Sequence, residues 1–166
     1  MSALAWLKAA RLPAQSNIAV PLLCGQALAV HLGATFDSTR AALVFVFGLF
    51  DQLAIVFLND AADEETDKAN TTFTPFSGGS RVLAQGLLTR PKLLRAGIGS
   101  ALLAVLSAAA LSLTCRSPWP IFLSVCAIVL LWAYSFSPIR ASYRGGGEVL
   151  QVLGTGIVLP LYGFVG

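Results

Sequence analysis

Five apolar runs decide what this chain can fold into. They cover residues 17–32, 41–58, 93–113, 118–134 and 149–165, and each is near the roughly 20 residues that a helix needs to cross the hydrocarbon of a bilayer. Backbone N–H and C=O groups find no water there, so a spanning segment must satisfy them internally or in a closed barrel. The runs are rich in Leu, Ala and Val and lack apolar-polar alternation, which selects helices. Composition agrees: 56% of the 166 residues are hydrophobic and 11% are charged, at a mean hydropathy of +0.76. A soluble core does not absorb that much apolar sequence. The expected fold is all-α, a multi-pass transmembrane bundle of about five helices in a lipid bilayer.

The few charges orient the bundle. Lys8 and Arg11 precede the first run, Lys68, Arg81, Arg90, Lys92 and Arg95 lie between or beside the second and third, and Arg140 and Arg144 separate the fourth and fifth. Only Arg40 and Arg116 fall in the alternate loops. The positive-inside rule then sets the N-terminus on the cytoplasmic side of an inner or plasma membrane. A net charge of +3 reports that orientation and no nucleic-acid partner, because the cations are not interleaved with aromatics on one face. Residues 1–11 hold no apolar core and no cleavage pattern follows, so the N-terminus is expected to be retained. Cys24, Cys115 and Cys126 are odd in number, two of them within apolar runs, and read as small buried hydrophobes.

Five acids stand within residues 60–67, directly behind the second apolar run. In a continuing helix Asp60, Asp63 and Asp67 occupy i, i+3 and i+7 and share one stripe. Carboxylates that close raise each other's pKa unless a cation lies between them. Mg²⁺ suits the position, since it binds through one or two carboxylates and shares its other ligands with water and substrate phosphates. A solvated acidic helix end is the alternative. Asp51, in the middle of the second run, is costly at that depth and must be functional or internally paired.

Elsewhere the polar residues mark possible pockets and turns. Gln15, Ser16 and Asn17 interrupt the approach to the first run, either to satisfy neighbouring backbone or to line a substrate pocket. His31 has no second histidine with which to share a metal and reads as interfacial. Asn70, Thr71, Thr72 and Pro75 end the helix of the motif. The stretch 76–81, with two glycines and two serines before Arg81, is a turn able to present N–H groups and a guanidinium to a phosphate.

The pattern Asn59-Asp-x-x-Asp63-x-x-x-Asp67 resembles the first aspartate-rich motif of the UbiA superfamily, intramembrane prenyltransferases that attach isoprenoid chains to aromatic acceptors. Residues 74–88 resemble the branch that includes 1,4-dihydroxy-2-naphthoate polyprenyltransferase. Tyr134-Ser-x-x-Pro-x-Arg140 and Tyr143-Arg144-Gly resemble the loop after the family's fourth helix. The resemblance implies that Asp60, Asp63 and Asp67 hold Mg²⁺ against a polyprenyl diphosphate and are catalytic. It further implies a substrate-binding set of Asn17, Asn59, Lys68, Arg81, Tyr134, Arg140 and Arg144, in quinone biosynthesis of the menaquinone type.

One departure stands out. The resemblance implies about nine helices of bilayer length and a second aspartate-rich motif, for which neither Asp51 nor Glu148 substitutes. The expectation is one prenyltransferase domain over residues 1–166, incomplete at its C-terminal end. A non-catalytic membrane protein that binds a prenyl diphosphate or a partner subunit is the rival reading. A transporter would carry charges inside several spans, where Asp51 is nearly alone.

Overall fold

The computed structural model describes residues 2–72 and 79–166. Every apolar run forms a helix, and no β-strand occurs among the described residues. A short α1 (Ala3–Ala10) is opened by Ser2, whose hydroxyl accepts from the Ala5 N–H at 3.3 Å, and is closed by Arg11 in left-handed backbone. A 3₁₀ turn (Leu12–Gln15) leads into α2 (Ser16–His31). Helix α3 (Ser38–Ala62) starts at Asp37, whose carboxylate accepts from the Thr39 and Arg40 N–H groups at 2.8 and 3.1 Å. It is followed by α4 (Glu64–Ala69), α5 (Arg90–Cys115), α6 (Trp119–Ser135) and α7 (Gly147–Val165).

Helices α3, α5 and α7, of 25, 26 and 19 residues, are long and apolar enough to cross a membrane, and α6 is a shorter apolar helix. The protein is integral to the membrane. Its outward face is apolar, with Leu102, Leu106 and Leu113 exposed on α5 alone. Inside α7, a π turn at Gly154–Val158 precedes Pro160, where the missing N–H would break regular helical bonding.

Two cores divide the bundle. Phe47, Leu22, Leu111 and Tyr162 belong to one, between α2, α3, α5 and α7, with the Phe47 and Tyr162 rings stacked at 3.8 Å. There α2 and α7 meet backbone to backbone: a Cβ on Gly25 would collide with the Pro160 carbonyl, and one on Gly163 with that of Leu22. The other core packs Ala5 and Ala9 of α1 against Phe57 and Ala61, with Val82, Leu83 and Leu93. Trp6 meets Phe57 edge to face at 5.7 Å. This second core fixes the N-terminal segment and the chain before α5 against the end of α3.

The cysteines depart from the expectation. Cys24 is exposed and Cys115 and Cys126 are half-buried, all as free thiols. Apolar sequence in a membrane protein can face outward, because the surrounding hydrocarbon exerts no hydrophobic pressure to bury it.

Candidate active site

A helix C-terminus leaves its last four carbonyls without intrahelical partners and carries partial negative charge. That makes the end of α3 a poor place for acids unless cations arrive. Three arginines remote in sequence do. Arg90 Nε donates to the Ala61 carbonyl at 3.0 Å, Arg140 Nη2 to the Ala62 carbonyl at 3.3 Å, and Arg11 Nη2 to Asp60 Oδ1 in an ion pair.

The continuous helix expected through the motif is interrupted. Asp63 leaves helical backbone at φ −96°, ψ 10°, and α4 begins at Glu64. Bonds from the Asp63 N–H to the Asn59 carbonyl at 2.9 Å and from the Asp67 N–H to the Asp63 carbonyl at 2.8 Å carry the spacing across the break. Electrostatics favours the interruption, since Glu64, Glu65 and Asp67 then lie in the first turn of a new helix, the end that welcomes negative charge.

The three aspartates meet different surroundings. Asp60 is buried and accepts from Arg11 and from the Ser80 hydroxyl. Asp63 accepts from the Tyr143 hydroxyl at 2.6 Å, and that hydroxyl is also 2.7 Å from Thr66 Oγ1. The Arg140 guanidinium lies over the Tyr143 ring, 3.9 Å from its centroid. Asp67 packs on Gly79, where an added Cβ would strike its carboxylate and lie 3.0 Å from Arg11 Nη2. Gly79 also has φ +75°, so two constraints favour glycine there. Burial raises the pKa of Asp67, the Asp60 and Asp63 charges raise it further, and Arg11 and Arg81 oppose them. Burial, then the bond to Asp63, likewise raises Tyr143. The three carboxylates therefore share one electrostatic neighbourhood, with Arg11 among them.

Arg81 donates through Nη1 to the Asp67 and Asn70 carbonyls, both at 3.1 Å, closing α4. Arg11, Arg81 and Arg140 all hold left-handed backbone, at φ 43°, 58° and 46°. Each such non-glycine residue costs roughly 1–2 kcal/mol; Arg116, which closes α5 at the other end of the bundle, does the same at φ 51°.

Below the carboxylates a cavity of about 310 Å³ opens between α2, α3, α6 and α7. Arg11, Asn17, Asn59 and Tyr134 line it, together with Asp51, Gln52, Gln151 and Thr155. Asn59 also accepts from the Ser135 hydroxyl at 3.2 Å. The expected Asn17, Asn59 and Tyr134 thus share one cavity wall.

Two expected residues do not join. Lys68 Nζ turns to Glu64 at 2.7 Å, an i, i+4 pair, and Arg144 is exposed with no side-chain partner among the described residues. Of the glycine-rich turn, residues 76–78 lie outside the described residues, as does Pro75. The sequence reading missed Arg11, Ser80 and Tyr143 as site residues. Arg11 opens an Arg-Leu-Pro break in the chain and Ser80 adjoins Arg81, the available signals for both.

Among the described residues no group of three His, Cys, Asp or Glu side chains is arranged to hold a metal ion. Asp60 is turned to Arg11 and Asp63 to Tyr143. The donor set still suits Mg²⁺ delivered with a diphosphate, which needs only one or two carboxylates from the protein.

The profile of the UbiA prenyltransferase family matches residues 18–166. The chain belongs to that family. Neither the curated proteins nor the solved structures compared with it gave a match. Family membership carries membrane prenyl transfer as the general activity of this UbiA-family protein.

Proposed function

We propose that this chain carries out the Mg²⁺-dependent transfer of a polyprenyl group from its diphosphate to a hydroxylated aromatic acceptor of the 1,4-dihydroxy-2-naphthoate type, as in menaquinone biosynthesis. The observation that carries the reading is the gathering of Asp60, Asp63 and Asp67 at the end of α3 with Arg11 beside them; burial, then the Asp60 and Asp63 charges, raise Asp67, and Arg11 and Arg81 oppose them. Such a cluster is suited to a divalent cation.

Asp60, Asp63 and Asp67, with Asn59, face the metal and diphosphate. Bound Mg²⁺ supplies charge stabilisation for the departing diphosphate. Arg11, Arg81 and Arg140 add fixed positive charge at the same end of the bundle. As the allylic C–O bond breaks, its electron pair leaves with the diphosphate, a ring carbon of the acceptor forms the new C–C bond with its π electrons, and the ring regains aromaticity by losing its carboxyl group as CO₂. The cavity walls of Ile18, Ile55 and Leu131 keep water from the allylic cation. The acceptor class follows from the resemblance of residues 74–88 to the naphthoate branch.

The cytoplasmic side is inferred for this end. Arg90 and Arg140 reach the C-terminal carbonyls of α3, whereas Arg40 bonds the Thr114 carbonyl at the other end, a distribution consistent with the positive-inside rule.

The test is Asp63→Ala in membranes supplied with radiolabelled geranylgeranyl diphosphate, Mg²⁺ and 1,4-dihydroxy-2-naphthoate. Loss of transfer by at least about 100-fold, the scale of a lost transition-state charge contact, is expected. Undiminished transfer refutes the assignment.

A further inference from the structure

Asp51 is 2% exposed and lines the cavity about 12 Å below Asn59 along α3, eight residues of helix at 1.5 Å each. Its carboxyl makes no hydrogen bond or ion pair among the described residues. The neighbouring Gln52, 4% exposed, lines the same cavity and has no side-chain partner either. Buried polar groups are nearly always bonded, and an unpaired acid within a membrane span is retained where it serves a ligand or pathway. Two adjacent ones lining one cavity form a polar floor that a ligand's donors can meet.

The chemistry of the occupant can be read from the walls. Arg11 is the cation of the lining and stands at the Asn59 end, beside Asp60. Around Asp51 the cavity offers a carboxyl and the amide of Gln52, with that of Gln151 also in the lining, groups able to receive O–H or N–H donors. Ile55, Leu130 and Leu159 make the sides apolar. A flat, largely apolar molecule with a hydroxyl on its edge satisfies both.

We propose that the Asp51 end of this cavity is the acceptor subsite, in which Asp51 accepts a hydrogen bond from a ring hydroxyl of the aromatic acceptor. The inference rests on the prenyl-transfer reading and adds to it a specificity-determining contact. The diphosphate is held at the Asn59 end, and the hydroxylated ring approaches the allylic carbon from the floor. Asp51 selects hydroxylated rings over their ethers, because an ether leaves the buried carboxyl unpaired.

The probes are 1-naphthol and 1-methoxynaphthalene, which differ at the hydroxyl hydrogen. Binding of each to the full chain in nanodiscs is measured by equilibrium dialysis against empty nanodiscs, for the natural protein, Asp51→Asn and Asp51→Leu. Leaving a buried hydrogen-bonding group unpaired corresponds to about 5- to 150-fold in affinity. The natural protein should prefer naphthol by that factor, Asp51→Asn should keep part of the preference, and Asp51→Leu should abolish it while remaining folded by circular dichroism. Equal binding of both probes to the natural protein, or an undiminished preference in Asp51→Leu, overturns the proposal. Transfer from geranylgeranyl diphosphate is measured in parallel. A preference that depends on Asp51 without any transfer would leave the subsite standing and remove the enzymatic reading. Transfer with an acceptor KM unchanged in Asp51→Leu would remove the subsite alone.

Discussion

Asp60 and Asp63 are three residues apart and chemically identical, yet one is buried under Arg11 and Ser80 while the other meets solvent and Tyr143. Asp60 is already neutralised by a guanidinium that the chain itself supplies. The Asp63 carboxylate accepts from one hydroxyl, that of Tyr143, which leaves its charge in place. The difference gives them unequal holds: Asp60 ties Arg11 and Ser80 to the end of α3, whereas Asp63 is tied by Tyr143. Three aspartates that read as equivalent thus stand in three surroundings, the third, Asp67, raised first by burial and then by the charges of the other two.

The anchor should show the largest effect when broken. Asp60→Asn leaves Arg11 without its counter-charge, and a broken buried pair costs about 3 kcal/mol. Thermal unfolding in detergent should show the loss, and Arg11→Met in the same background should recover part of it. If the two changes simply add, the pair is not the anchor.

Asp67 sharpens the comparison through pH. Its folded pKa is raised, so it binds a proton more readily folded than unfolded. The stabilisation that follows is fully present below the unfolded value and is lost as pH rises through the folded one. Without Mg²⁺, Asp67→Asn should therefore be more stable than the natural chain at pH 7, and the gap should close as pH falls towards 4. Melting curves across that range check it, and an unchanged gap would show that Asp67 is not crowded.

Tyr143→Phe removes one donor from Asp63 and should weaken retention of the diphosphate by roughly fivefold, the scale of about 1 kcal/mol for a hydrogen bond. Because the Tyr143 pKa is raised, its hydroxyl stays protonated at working pH, and the variant should shift KM without altering the pH profile. The smallest effect belongs to Lys68→Ala. Its exposed i, i+4 pair with Glu64 is worth about 0.5 kcal/mol or less, and a large loss of transfer would mean that Lys68 turns to the diphosphate.

Much of the fold, and the gathering of the three aspartates, was legible because hydrophobic length and acid spacing are local properties. The five apolar runs became helices within a few residues of their expected ends, and the spacing of Asp60, Asp63 and Asp67 brought the three into one electrostatic field. The break at Asp63 was not legible, since it depends on Arg90 and Arg140 reaching the last carbonyls of α3 from far along the chain. Nor was the destination of Lys68, which sat close enough in sequence to suggest a role but points to Glu64.

Sequence alone determined that this chain lies in a membrane as helices and ends one of them in a cluster of acids, because both follow from how many apolar residues stand together and which charges come next. Tertiary structure alone decided that Arg11 is the cation at Asp60, that Tyr143 attends Asp63, and that Asp51 opens on a cavity. Those relations join residues dozens of positions apart, and only the packing of α1, α6 and α7 around α3 sets their distances.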